Sequence, residues 1–293
     1  MKHIAWKCPN CQQRLTPYLD TKPYVLRCPD GHSFDVAKQG YVNLLLPQKR
    51  GAALPGDSAE MVRARTAFLD GGYYQAFSDG VNCLIADTLA SMQRTDHPVI
   101  LDAGCGEEYY TARLHDALRQ DGIQAVCAGF DLSRDAAAHG SKRAKAAGCA
   151  DTLSFAVASL FEMPVADGTA DGIINLFAPV ADAEFFRVLK PGGFLLMAVP
   201  AEDHLWGMKQ VLYEVPYKNE VRRDTLNHFT LTEIRRITDT ITVTDPAHIR
   251  ALFAMTPYYW KTSTVDRDRL YSQPKLETEI VFDLLLYKKE GIQ

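Results

Sequence analysis

The chain has 293 residues, of which 47% are hydrophobic and 23% charged, with a formal net charge of −4. That length holds one large domain, or a large one with a small one, and the composition is that of an ordinary globular protein. No window of about twenty uninterrupted apolar residues exists, and the opening "MKHIAWKCPNC" has no apolar signal core, so no membrane span and a cytoplasmic location are expected.

The charge is unevenly spread. Residues 1–50 carry eight basic and three acidic residues, a net +5, which leaves −9 on the remainder. A basic head can hold a phosphate backbone, and it can equally be a normal solvated surface. The head reads "CPNCQQRLTPYLDTKPYVLRCPDGHSFD". Cys8 and Cys11 form a C-x2-C pair, and Cys28 and His32 a C-x3-H pair. Each pair can put two ligands on one turn, and two such turns make a tetrahedral zinc site capping a small β-ribbon. A segment this short builds no stable core alone, so the metal would supply folding energy. The other four of the seven cysteines, Cys83, Cys105, Cys127 and Cys149, read as buried thiols.

"QKRGAALPGD" has turn formers and few apolar anchors and is expected to be a linker. A helix is expected from Asp57 or Ser58, with Met61, Ala64, Phe68 and Leu69 on one face, ending at "DGGYY". From about residue 76 helices and strands alternate. "FSDGVNCLIADTLASM" is an amphipathic helix, "HPVILDAG" a strand ending at Asp102, "YTARLHDALRQDG" a helix and "IQAVCAGFDLS" a strand ending at Asp131. "RDAAAHGSKRAKAAG" is a helix, "TLSFAVAS" and "ADGIINLFAP" are strands, and "ADAEFFRVLKPGG" is a helix stopped by Pro191 and the glycine pair. "FLLMAVP" is a fifth strand, and "DTITVTD" and "LETEIVFDLLLYKK" add two more. The alternation predicts an α/β, doubly wound, mostly parallel sheet. Segments 1–45 (ribbon), 46–75 (linker and helix) and 76–293 (body) follow as the expected domains.

In such folds a ligand binds at the carboxyl ends of the strands. Gly104 and Gly106 let the backbone turn beneath it, and Asp131 can accept from two ribose hydroxyls. A dinucleotide turn would read G-x-G-x-x-G, and here Tyr109 holds the last position. Asp102-x-Gly104-x-Gly106, followed by Asp131, by Ser159 after the third strand and by "LKPGG", instead resembles the first motif of the S-adenosylmethionine methyltransferases.

The resemblance then runs nearly end to end. "CPNC…CPDGHSFDVAKQGYVNLL", "GDSAEMVRARTAFLDGGYYQ", "LDAGCGE", "RVLKPGG", "VPAEDHL" and "AMTPYYW" together look like the bacterial 23S rRNA guanine-N1 methyltransferases, a family that includes macrolide-resistance enzymes. The resemblance implies a Rossmann-like S-adenosylmethionine methyltransferase fold behind a zinc ribbon. It also implies a homodimer whose ribbon helps to grip an rRNA hairpin, with no membrane partner. Zinc ligands match Cys8, Cys11, Cys28 and His32. Cofactor contacts match Tyr74, Gly104, Gly106, Glu107, the Glu108 position and His204, beside Asp102, Asp131 and Ser159 from the motif.

Glu108 departs from the family, which reads G-C-G-E-G there. If that residue has a positive φ, glutamate is strained by roughly 1–2 kcal/mol. If the backbone is helical, the longer side chain enters the cofactor pocket. Two aromatic segments stay open: Phe177 in "NLFAP" either stacks on a flipped guanine or packs at a strand end, and "MTPYYW" is either a wall for the base or core. The expected activity is methyl transfer to guanine N1 in a 23S rRNA hairpin, with Lys49, Arg50 and the ribbon holding phosphates and no catalytic base identified. The alternatives are a methyltransferase for another substrate and a non-catalytic RNA-binding relative whose pocket Glu108 closes.

Overall fold

The computed structural model describes residues 4–18, 24–46, 59–92, 97–221 and 225–291. The expected linker, Ser58 and Lys49–Arg50 lie outside these residues. The head forms a three-stranded antiparallel sheet of β1 (Thr16–Tyr18), β2 (Val25–Arg27) and β3 (Ser33–Asp35). The body is an eight-stranded sheet built from β4 (Val42–Asn43), β5 (Val99–Ala103), β6 (Val126–Asp131), β7 (Leu153–Val157), β8 (Ala170–Leu176), β9 (Leu189–Pro200), β10 (Phe229–Val243) and β11 (Leu276–Lys289). Its order is β10-β11-β9-β8-β5-β6-β7-β4. Strands β4 to β9 run parallel, and β11 is antiparallel to both β9 and β10.

The central strands are apolar on both sides because both faces of the sheet are covered. Ile100 joins one buried cluster, with Phe68, Phe77, Leu114 and Phe253 from the helices. Its neighbour Leu101 points the other way, into a second cluster with Phe130, Phe185 and Leu285. Trp6, Cys8, Leu15 and Cys28 of the head belong to that second cluster. The head is therefore packed onto the sheet rather than hung from it. Lys7 donates its amide to Pro164 O (2.7 Å), and β4 pairs with β7 through Val42 and Ala156.

The helices are α1 (Ala59–Asp70), α2 (Gln75–Ser91), α3 (Tyr109–Gln120), α4 (Arg134–Ala146), α5 (Asp182–Val188), α6 (Trp206–Leu212), α7 (Pro246–Ala254) and α8 (Thr264–Tyr271). One buried face and two boundaries differ from the sequence expectation. The buried face of α1 is Val62, Phe68 and Leu69, while Met61 is 38% exposed. Helix α5 stops at Val188, and β9 already begins at Leu189, so Pro191 lies inside the strand's range rather than at a helix end. Strand β10 starts at Phe229, well before "DTITVTD", because fourteen of its residues register against β11 across a long antiparallel ribbon.

Candidate active site and metal centre

A cavity of about 680 Å3 opens along the carboxyl ends of the parallel strands, within the size range of small-molecule sites. The strand order sorts its lining into two halves. The ends of β5, β6 and β7 supply Asp102, Gly104, Gly106, Asp131 and Ser159. The segments after β8 and β9 supply Phe177, His204, Asn219 and Glu220, and β11 supplies Phe282.

The turn after β5 is held tightly. Gly104 has φ +86, and a Cβ there would lie 2.4 Å from the Cβ of Ala178. Only glycine satisfies both the backbone and the space. Asp131 is fixed by two amides: Gly106 donates to Oδ2 (3.1 Å) and Ser133 to Oδ1 (2.8 Å). Each carboxylate oxygen keeps a lone pair for a hydroxyl donor. Asp102 lies deeper and accepts from the hydroxyl of Thr111 in the first turn of α3 (2.5 Å). Burial, with Asp131 nearby and against the Thr111 bond, pushes its carboxyl up to about 7.

Glu107 is buried between α1 and α4, with Thr66 (3.4 Å) and Arg143 (3.3 Å) on its Oε2. Desolvation raises its carboxyl in spite of Arg143. Arg65 of α1 lines the cavity above the same turn. Tyr74, at the N-terminus of α2, is buried edge-on to Phe68 and Phe282. His204 accepts from the amide of Val281 at Nδ1 (3.2 Å), so its proton sits on Nε2. Burial, then the Lys209 charge, lowers its imidazole to about 3, and it stays a neutral donor.

Of the nine residues expected at the cofactor, Tyr74, Asp102, Gly104, Gly106, Glu107, Asp131, Ser159 and His204 surround this one cavity. Glu108 does not. It is the N-cap of α3 at φ +73, the left-handed region, so the strained alternative holds and the helical one does not. Its side chain turns away from the cavity and lies against Gly140 of α4, where an added Cβ would sit 1.4 Å from Oε2. It is 1% exposed, and neither carboxyl oxygen has a hydrogen-bond partner. Desolvation, then Glu107, Asp102 and Asp131, raise its carboxyl well above the usual range. A neutral glutamic acid buried in the wall neither closes the pocket nor meets a sulfonium.

Arg65, Tyr110, Asn219, Glu220 and Phe282 line the cavity without having been expected there. Arg65 lies within the quoted "GDSAEMVRARTAFLDGGYYQ" and the other four lie outside the quoted motifs, and only the fold brings all five together. Phe177 is half exposed at φ +62, beside Phe77, Tyr110 and Phe282. It therefore lies at the cavity and not in the core. From "MTPYYW", Met255 to Tyr258 line the cavity, whereas Trp260 is exposed on the surface.

The four expected metal ligands converge. One ligand atom from each of Cys8, Cys11, Cys28 and His32 lies within 4.8 Å of the others, and the three cysteines are free thiols with no disulfide between them. Cys11 Sγ is 3.5 Å from Cys28 Sγ, and Cys28 Sγ is 3.3 Å from His32 Nδ1. Those separations are close to the edges of a tetrahedron with Zn–S bonds of about 2.3 Å. Three thiols and one imidazole are a donor set that fits zinc.

Comparisons with known proteins agree with this geometry. A zinc-ribbon family model described as "RlmA, N-terminal" matches residues 6–52, and one described as "Methyltransferase domain" matches residues 100–193. A Micromonospora griseorubida protein provisionally named a 23S rRNA (guanine-N(1)-)-methyltransferase is 39% identical over 68% of this chain and 66% of its own length. The 23S rRNA (guanine(748)-N(1))-methyltransferase of Streptomyces fradiae is 34% identical over 68% of this chain and 64% of its own. These two matches span just under two thirds of those relatives. The Bacillus subtilis (strain 168) protein YxjB, provisionally named in the same way, is 30% identical over 97% of both chains. The chain belongs to the 23S rRNA (guanine-N1)-methyltransferase family.

Proposed function

We propose that the protein methylates N1 of a guanine in 23S rRNA, with S-adenosylmethionine as methyl donor and zinc in the ribbon. The observation that carries this reading is the two-part cavity. One half has the hydrogen-bonding groups of a nucleoside site, and the other has an aromatic rim of a size to take a planar base. The donor supplies a methyl group already activated by a sulfonium. Asp131 would hold its ribose, Gly104 and Gly106 would admit its backbone-facing edge, and Arg65 would offer charge to its carboxylate. The neutral His204 and Tyr74 would close the wall between the halves. Phe177, exposed at the mouth, would stack on an extruded guanine. The remaining task of the chain is orientation and exclusion of water.

The family resemblance also supports a homodimer and a link to macrolide resistance, which sedimentation and drug-sensitivity tests of an expressing strain would check. The activity itself is tested on unmodified 23S rRNA with tritiated donor, followed by primer extension. A stop at one guanine is expected, because a methyl at N1 blocks base pairing. Label that goes to a small molecule or a protein, with none in rRNA, refutes the reading. Transfer to no substrate despite donor binding would favour a non-catalytic RNA-binding relative.

A further inference from the structure

The donor half of the cavity accounts for its own acids, but N1 of guanine carries a proton that must leave, and no group has yet been given it. Among the described residues, the carboxylates lining the cavity are Asp102, Glu107, Asp131 and Glu220. Asp102, Glu107 and Asp131 all stand at the ends of β5 and β6, on the donor side of the cavity. His204 uses Nδ1 to accept from Val281, which leaves no free acceptor on its ring. Tyr258 donates its hydroxyl to Asn219 (2.6 Å), and burial pushes its phenol up to about 12. Glu220 alone is a carboxylate on the half that faces the base.

The residue before it is held with unusual firmness. Asn219 Oδ1 accepts from Tyr258 and from the ammonium of Lys209 (2.7 Å), and its Nδ2 donates to the carbonyls of Ala201 (2.9 Å) and His204 (3.0 Å). Its own amide donates to Glu202 O (2.8 Å). Lys209 is fully buried, donates a second bond to Tyr217 O (2.9 Å) and lies over the rings of Tyr217 and Tyr258. A buried ammonium is costly unless fully partnered, and here its partners pin a surface segment to the cavity wall. That is the arrangement expected where a side chain has to be pre-positioned.

We propose that Glu220 accepts the N1 proton of the target guanine, and that Lys209 and Asn219 position it. This rests on the function proposed above. In the step, the N1–H bond breaks and the proton goes to a Glu220 carboxylate oxygen. The N1 electron pair forms the N–CH3 bond while the donor sulfur keeps the pair of the bond it loses. Before reaction, the same carboxylate would accept from N1–H and from the 2-amino group, an edge that distinguishes guanine from adenine.

Glu220 is exposed, so Glu220→Gln and Glu220→Ala are suited to test this without unfolding. On 23S rRNA transcript, kcat is expected to fall roughly 10²–10⁴-fold in both, with donor affinity within about threefold of wild type. Glu220→Ala should regain part of its rate with added formate. A readout free of donor uses a synthetic hairpin centred on the guanine mapped by primer extension. Replacing that guanine by inosine, which lacks the 2-amino group, should weaken wild-type binding and leave Glu220→Ala binding unchanged. If wild type methylates rRNA and both variants stay within about threefold of it, or if the inosine penalty survives in Glu220→Ala, the assignment is overturned while the function stands. If wild type methylates no rRNA, both fall together.

Discussion

The contact between Glu108 and Gly140 predicts a coupling that neither residue reveals alone. Glu108 occupies the space in which a side chain at position 140 would stand, with Oε2, Cδ and Cγ at 1.4, 1.9 and 2.6 Å from a Cβ built there. Gly140→Ala in the native background must displace a buried carboxyl. Overpacking of that kind costs about 1–3 kcal/mol, against a helix-propensity gain of about 1 kcal/mol for alanine over glycine. Glu108→Gly removes the obstacle and also relieves the left-handed φ, worth roughly 1–2 kcal/mol. In that background Gly140→Ala should stabilise by the propensity term alone. The double-mutant cycle should therefore return a coupling of about 1–3 kcal/mol, read from urea denaturation midpoints at constant slope. A coupling below about 0.5 kcal/mol would show that the two side chains do not compete for one space.

The ionisation of Glu108 gives the same idea a second reading. Its folded-state pKa is raised, first by desolvation and then by Glu107, Asp102 and Asp131, with Arg143 opposing. The folded protein thus keeps a proton that the unfolded chain has released. This group's contribution is present below the ordinary glutamate range and is lost as pH rises above it. The stability of wild type relative to Glu108→Gln should fall with rising pH by up to about 1.4 kcal/mol per unit. Parallel pH profiles for the two proteins would remove the buried, neutral carboxyl from the account.

Two further outcomes follow from the rest of the site. Replacing Cys8 and Cys11 by Ser, or stripping zinc with a chelator, should abolish rRNA binding while donor affinity changes by less than about threefold, since the ligands lie on the ribbon and not at the cavity. Calorimetry and filter binding on one preparation check this, and loss of both affinities together would contradict it. His204 has a lowered folded pKa, so the unfolded chain takes up the proton first as pH falls. Below about pH 6.5, wild type should lose up to about 1.4 kcal/mol of stability per unit relative to His204→Asn, and identical acid limbs in chemical denaturation would refute a neutral, buried imidazole.

Much of this architecture is legible in the sequence because its signals are local. Apolar runs ending at Asp102 and Asp131, each followed by a helix, name the central strands and the end of the sheet that binds. Two short ligand pairs name the metal centre. The signal for α7 is just as local, since Asp245 caps it through its bond to the Ala247 amide and Pro246 takes the first position; Asp245 is the last residue of the run expected as a strand. What local signals omit is contact between distant segments. Gly140 looks like an unfavourable glycine in an alanine-rich helix until Glu108 is seen to need its space. Lys209 reads as an ordinary surface lysine in "WGMKQVL", and only the loop bearing Asn219 buries it. The strain at Glu108 depends on a φ that its neighbours in sequence do not determine.

The acids around the β5 turn bear on how the donor binds. Asp102, Glu107, Glu108 and Asp131 crowd one small region, and four full negative charges there would repel strongly. Burial resolves this by holding Glu108 neutral and by bringing Asp102 to about 7, where a small change in surroundings decides its charge. Asp102 lines the cavity, and the donor carries positive charge on its sulfonium and its amino group. A cation beside Asp102 favours the carboxylate, so binding should expel a proton near neutral pH. Donor affinity should then rise by up to tenfold per pH unit below about 7 and level off above it. Titration calorimetry at pH 6.5 in two buffers of different ionisation enthalpy reads the proton directly, and Asp102→Asn should abolish its release. A net exchange of zero protons in wild type, with affinity flat from pH 6 to 8, would mean that Asp102 is already ionised before the donor arrives and that some other group offsets the charge of this turn.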